Sequence, residues 1–129
     1  MKPTVLFVDD DTFILSGFIR SFHKEAFQVF TAHSAEEAMD ILKRTDINVI
    51  VSDEKMGGMD GTDLLCWVVN NFPHIPRIIL SGRPDVPTMQ RAINDAKVYR
   101  YLTKPANCEY LANTIRQAIA ESDKPVEQA

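Results

Sequence analysis

Five short apolar runs alternate with five stretches of helical periodicity along the 129 residues of this chain. No other feature limits its fold as tightly. The apolar runs fall at 5–8, 28–32, 49–52, 77–80 and 98–102. Three of them are continuous: Val5-Leu6-Phe7-Val8, Val49-Ile50-Val51 and Ile78-Ile79-Leu80. A strand that faces water on one side alternates apolar with polar. A continuous run marks a strand buried on both faces, as in a parallel sheet covered by helices.

The intervening stretches supply those helices. Ile14, Phe18 and Phe22 recur every four residues and form one apolar stripe. The second helix starts at Ser34 with Glu37 three residues on, a capping-box pattern, and buries Ala38, Ile41 and Leu42. The third runs over about 62–70 through Leu64, Leu65 and Val68, and Pro73 marks its end. The fourth covers roughly 86–94, with Pro87 tolerated in its first turn. The fifth begins near Asn107, a good cap, and continues through Leu111, Ile115 and Ile119. Residues 1–120 therefore make one domain, and 121–129 read as a polar tail or linker stub.

Five strand–helix units of this length imply a three-layer α/β sandwich, a parallel sheet with helices on both faces. Ligands in such sheets bind at the carboxyl ends of the strands. Strand one ends in Asp9-Asp10-Asp11, strand three in Asp53, strand four in Ser81-Gly82 and strand five in Lys104-Pro105. Several acids, a hydroxyl and an amine thus converge on one rim.

Crowded carboxylates resist ionising together, and a divalent cation resolves that conflict. Mg²⁺ prefers oxygen ligands and one or two carboxylates plus phosphate. Asp10 and Asp53 suit direct ligation, with Asp9 acting through water. A carboxylate is also a competent nucleophile towards phosphorus. Phosphoryl transfer needs mainly positioning and charge neutralisation, which Lys104, Ser81 and the metal can supply. Each residue alone has an ordinary role. Asp53 suits a turn, Ser81 precedes a glycine, and Lys104 suits a surface. Asp11, next to Thr12, is best read as a helix cap. Their joint placement at strand ends is what carries the chemistry.

The four motifs resemble those of the receiver domain of two-component response regulators, over about residues 3–120. They are Val5-Leu6-Phe7-Val8-Asp9-Asp10-Asp11, Val51-Ser52-Asp53-Glu54-Lys55-Met56-Gly57-Gly58-Met59-Asp60-Gly61, Ile79-Leu80-Ser81-Gly82 and Tyr101-Leu102-Thr103-Lys104-Pro105. The resemblance implies a flavodoxin-like sheet of order 2-1-3-4-5. It implies Asp53 as phosphoacceptor, with Lys104 and Ser81 completing the catalytic set. It implies Mg²⁺, replaceable by Mn²⁺, on Asp10, Asp53 and the Lys55 backbone carbonyl, with Asp9 through water. Ser81 and Tyr101 match the switch pair, and the Lys104–Pro105 bond matches one that is usually cis. The domain would catalyse only its own phosphorylation and dephosphorylation. Its implied partners are a sensor histidine kinase or phosphotransfer protein and an output domain C-terminal to this chain; a homodimer stays open. The stretch Ala92-Ile93-Asn94 and the residues from Val98 to Pro105 are similar to receivers of HD-GYP-type and hybrid-kinase proteins.

Two departures stand out. Gly57 occupies a position that is usually proline, so a looser loop is expected. Lys55 and Arg83 lie two residues past Asp53 and Ser81, where the family modulates phosphoryl lifetime.

Rival chemistries fit less well. A haloacid-dehalogenase-type enzyme would use Asp9 as nucleophile and needs an acidic pair after the lysine, where only Glu109 follows before the tail. A flavodoxin-type binding module needs a phosphate-cradling loop after strand one, and here that loop is triply acidic. The net charge of −4 and scattered basic residues argue against direct nucleic-acid contact. The apolar run after Met1-Lys2-Pro3-Thr4 is too short for a signal peptide or a membrane span, so a cytoplasmic location is expected. Cys66 and Cys108 have no metal or CxxC spacing and are expected as buried helical thiols.

Overall fold

The computed structural model describes residues 2–122. Ten elements alternate along it. They are β1 (Thr4–Val8), α1 (Thr12–Phe22), β2 (Gln28–Ala32), α2 (Ala35–Arg44), β3 (Val49–Asp53), α3 (Gly61–Asn71), β4 (Arg77–Ser81), α4 (Val86–Asn94), β5 (Arg100–Thr103) and α5 (Cys108–Ser122). The strands form one sheet in the order β2-β1-β3-β4-β5, and every pairing is parallel. The expected tail residues Glu121 and Ser122 belong to α5, and 123–129 lie outside the described residues.

Side chains alternate across the strands, and each parity feeds its own core. Val5, Phe7, Val49, Val51, Ile78 and Leu80 pack with Leu15 and Phe22 of α1 and Leu111 and Ile115 of α5. Leu6, Val8, Ile50 and Ile79 pack with Ala38 and Leu42 of α2, Leu64, Leu65 and Val68 of α3, and Ala96 just after α4. The first core also holds an aromatic stack, with Phe7 4.6 Å from Phe18 and 5.6 Å from Phe22 between ring centres. Every residue of β1, β3 and β4 is buried, whereas β2 and β5 at the edges are partly open. These buried strands are the three whose sequences are continuously apolar.

Helix starts follow their caps. Asp11 Oδ1 accepts from the N–H groups of Phe13 (2.9 Å) and Ile14 (3.4 Å), as its place before Thr12 predicts. Asn107 Oδ1 accepts from Tyr110 at 3.0 Å and opens α5. Ser34 Oγ accepts from Glu37 N–H at 3.1 Å, but Glu37 Oε1 reaches back to the N–H of His33, one residue earlier than a regular capping box.

Two expectations need correction. Strand five starts at Arg100 rather than 98, because Lys97 takes a positive φ of 50° and Val98 N–H still bonds Ala92 O at 3.2 Å. Cys108 is exposed and Cys66 only partly buried. Cys108 is the first residue of α5, where the helix end faces outward, so helical placement did not bring burial.

Candidate functional site

The rim at the carboxyl ends of β1, β3, β4 and β5 gathers the acids and the amine. The strand ladders run slightly past the apolar residues and carry the polar ones with them. Asp9 N–H bonds Ala32 O (3.1 Å), Glu54 N–H bonds Leu80 O (3.0 Å), and Lys104 N–H bonds Ser81 O (2.8 Å). Asp53 and Ser81 are thereby the last residues of β3 and β4, held by strand geometry rather than by loops.

Asp9, Asp10 and Asp53 place carboxylate oxygens within 4.8 Å of one another. Asp9 and Asp53 are buried, and Asp10 is open to solvent. Lys104 Nζ stands 2.8 Å from Asp53 Oδ1 and 3.4 Å from Asp9 Oδ2. The Lys104–Pro105 peptide is cis.

One amine, paired with Asp9 and Asp53, therefore stands against a cluster of three carboxylates. Burial pushes the Asp9 carboxyl above its ordinary value, the Asp11 N–H on its Oδ1 (2.9 Å) opposes this, and the charge of Asp53 adds to the rise. Burial alone lowers the Lys104 ammonium, but its hydrogen bond to Asp53 and the charges of Asp53 and Asp9 leave it raised. The excess negative charge is what a divalent cation relieves, and three oxygen donors this close suit Mg²⁺.

Asp10 is steadied from an unexpected side. Its Oδ2 accepts a hydrogen bond from Gly57 N–H at 3.1 Å. Proline, the usual residue there, has no N–H to give. The glycine that was expected to loosen this loop also ties it to the acidic cluster.

Ser81 and Tyr101 lie on the α3 and α4 side of the sheet. Ser81 is fully buried, and its hydroxyl donates to Glu54 Oε1 at 2.9 Å. The half-buried Tyr101 donates its hydroxyl to Glu54 Oε2 at 2.8 Å. Burial, foremost, raises the Tyr101 phenol. Both hydroxyls thus share one carboxylate, a residue that the motifs did not single out. The signal was present in the strand period. Glu54 is two residues past Ser52 and four past Ile50, so alternation puts it on the face of Ile79 and Ser81. Lys55 and Arg83 are exposed and form no ion pair among the described residues.

The chain is similar to known proteins in sequence and in fold. The sequence profile of the response regulator receiver domain matches residues 5–116. The hydrogenase transcriptional regulatory protein HoxA of Cupriavidus necator is 38% identical over 92% of this chain and 24% of its own length. The sensor kinase CckA of Brucella abortus is 30% identical over 95% of this chain and 13% of its own. The chain spans about a quarter or less of the length of these curated relatives. Among solved structures, the signal receiver domain of an HD domain-containing protein from Pseudomonas fluorescens Pf-5 aligns with a TM-score of 0.91 and 30% identity, covering 95% of this chain and 98% of that one. A CheY-like receiver domain protein from Methanospirillum hungatei JF-1 aligns with a TM-score of 0.91 and 27% identity over the same shares.

Proposed function

Because this chain belongs to the response regulator receiver family, we propose that Asp53 is its phosphoacceptor and that the domain works as a phosphorylation switch. The observation that carries the reading is the Lys104 ammonium 2.8 Å from Asp53 Oδ1, beside three carboxylates within 4.8 Å. That arrangement holds a nucleophile, a counter-charge and a cation cradle in one place.

The donor is a phosphohistidine on a sensor histidine kinase or phosphotransfer protein. An Asp53 carboxylate oxygen attacks phosphorus. The new O–P bond forms as the P–N bond breaks, and the imidazole leaves with the bonding electrons. Lys104 neutralises charge on the phosphoryl oxygens, and the Ser81 hydroxyl turns from Glu54 to donate to them. Asp10, Asp53 and the Lys55 carbonyl, with Asp9 through water, would hold a Mg²⁺ or Mn²⁺ ion, which would supply the remaining charge neutralisation. Hydrolysis reverses the state, and the exposed cations Lys55 and Arg83 tune its lifetime. The domain catalyses nothing beyond its own phosphorylation and dephosphorylation.

Phosphorylation biases two arrangements of the face made by α4, β5 and α5, through Ser81 and Tyr101. That face then acts on an output domain C-terminal to the receiver unit of residues 1–120, or on a second copy of the chain. Among the described residues no helix is long and apolar enough to cross a membrane. The reading carries a cytoplasmic location with it.

Incubation with acetyl phosphate and Mg²⁺, followed by intact mass, tests the proposal. Wild type should gain one phosphoryl group, and Asp53→Asn should gain none. Undiminished labelling of the Asp53→Asn protein rejects the assignment.

A further inference from the structure

Glu54 is one of the largest fully buried side chains in the protein, 1% exposed, and it makes no ion pair among the described residues. Its backbone is fixed on both sides. The N–H bonds Leu80 O at 3.0 Å, and the carbonyl accepts from Gly61 N–H at 2.9 Å. Burying a carboxylate is costly unless its oxygens are satisfied. Here each oxygen takes one hydroxyl donor: Ser81 on Oε1 and Tyr101 on Oε2.

A serine hydroxyl has a single proton to donate. While that proton rests on Glu54 it cannot bond a phosphoryl oxygen on Asp53. We propose that Glu54 is a positioning residue that holds the unphosphorylated state, by pinning Ser81 and Tyr101 to one buried carboxylate and competing with the phosphoryl group for the Ser81 proton. The inference rests on the phosphoacceptor reading of Asp53 given above.

Two consequences follow from the geometry. The Ser81 and Tyr101 hydroxyls are coupled through a shared acceptor, so moving one changes the free energy of the other, and the coupling is reciprocal. Ser81 also leaves a charge-assisted hydrogen bond to join the phosphoryl group, which subtracts from the drive to switch. A neutral residue at 54 should therefore make the switched state easier to reach.

The test uses the chain carrying fluorotyrosine, with Tyr101 assigned by Tyr101→Phe, read by fluorine NMR. Glu54→Gln keeps the side chain's shape and turns one acceptor oxygen into a donor. Without any phosphoryl group, the Tyr101 resonance should move in Glu54→Gln while those of Tyr99 and Tyr110 stay. A purely structural defect moves all three. Titration with beryllofluoride and Mg²⁺, a phosphoryl mimic, should then show a midpoint about tenfold lower in Glu54→Gln than in wild type, the loss of one charge-assisted hydrogen bond. Glu54→Met, an apolar residue of similar volume, should act in the same direction and serves if the glutamine variant does not fold. An unmoved Tyr101 resonance, or a midpoint unchanged or raised in both variants, overturns the inference. A wild type that takes no phosphoryl group from acetyl phosphate overturns the reading beneath it. The Tyr101 shift, measured without phosphate, tells those two failures apart.

Discussion

Replacing Gly61 by alanine puts a methyl group where the backbone leaves no room. A Cβ at this position lies 2.0 Å from the Asp53 carbonyl oxygen, 2.8 Å from Ser52 Oγ and 3.0 Å from the Asp53 carbonyl carbon. The start of α3 must withdraw from the end of β3 by about 1 Å to bring the closest contact out to 3.0 Å. The obstacle is backbone, so the cost sits at the upper end of the ~1–3 kcal/mol typical of overpacking. Withdrawal also weakens the 2.9 Å bond from Gly61 N–H to Glu54 O, for about 1 kcal/mol more. Removing a glycine's freedom from the unfolded chain returns roughly 0.4–1 kcal/mol. The net loss is about 3 kcal/mol, a large part of the ~0.05–0.15 kcal/mol per residue that keeps a domain folded. With a urea slope of about 2 kcal/mol/M, the unfolding midpoint should fall by about 1.5 M. Gly57→Ala is the control, since a Cβ there meets only Asp10 Oδ2 at 3.9 Å, and its midpoint should hold or rise slightly. Because the group crowded by the new methyl is the carbonyl of Asp53 itself, Gly61→Ala should also slow phosphorylation by acetyl phosphate. A midpoint within about 0.3 M of wild type would refute the close-approach reasoning.

Asp11→Ala removes the cap that accepts from Phe13 and Ile14, and should cost about 1 kcal/mol by urea unfolding while leaving Asp53 phosphorylation intact. Burial raises the Cys66 thiol above its ordinary value, and the thiolate is the reactive form. Iodoacetamide at neutral pH should therefore alkylate exposed Cys108 before Cys66, as read by peptide mass, with Cys66 catching up only as pH rises. Lys55→Ala and Arg83→Ala should each change the dephosphorylation rate several-fold, followed by the decay of the labelled mass after the donor is removed. Equal lifetimes in both variants would return these two residues to ordinary solvated cations.

Much of the fold is legible because burial on two faces writes itself plainly into a strand. The three continuously apolar runs became β1, β3 and β4, the interior strands, while the mixed runs became the edges β2 and β5. Strand ends were less legible. Asp53 and Ser81 look like the start of loops by residue type, yet the ladder bonds of Glu54 and Lys104 keep them in the sheet. The start of strand five differs because apolar Val98 and Tyr99 suit a strand, whereas after the positive φ of Lys97 the Val98 N–H closes a turn on Ala92 O and only the Tyr99 N–H reaches β4, at Arg77 O. At the site, the residue types and their strand-end positions brought Asp9, Asp10, Asp53 and Lys104 together correctly. Glu54 was hidden by its neighbour. An acid beside an acid reads as more surface charge, and only the strand period, carried one residue past Asp53, turns it inward to Ser81. The hydrogen bond from Gly57 to Asp10 joins residues far apart in sequence and belongs to tertiary structure alone.

The central claim is that Asp53, and no other acid on this rim, takes the phosphoryl group. Phosphorylation with acetyl phosphate and Mg²⁺, trapping of the acyl phosphate by borohydride reduction, and peptide mass mapping would locate it. Reduction is expected at Asp53 alone, dependent on Mg²⁺ and lost in Asp53→Asn. Reduction at Asp9 or Asp10, with Asp53 unmodified, would contradict it.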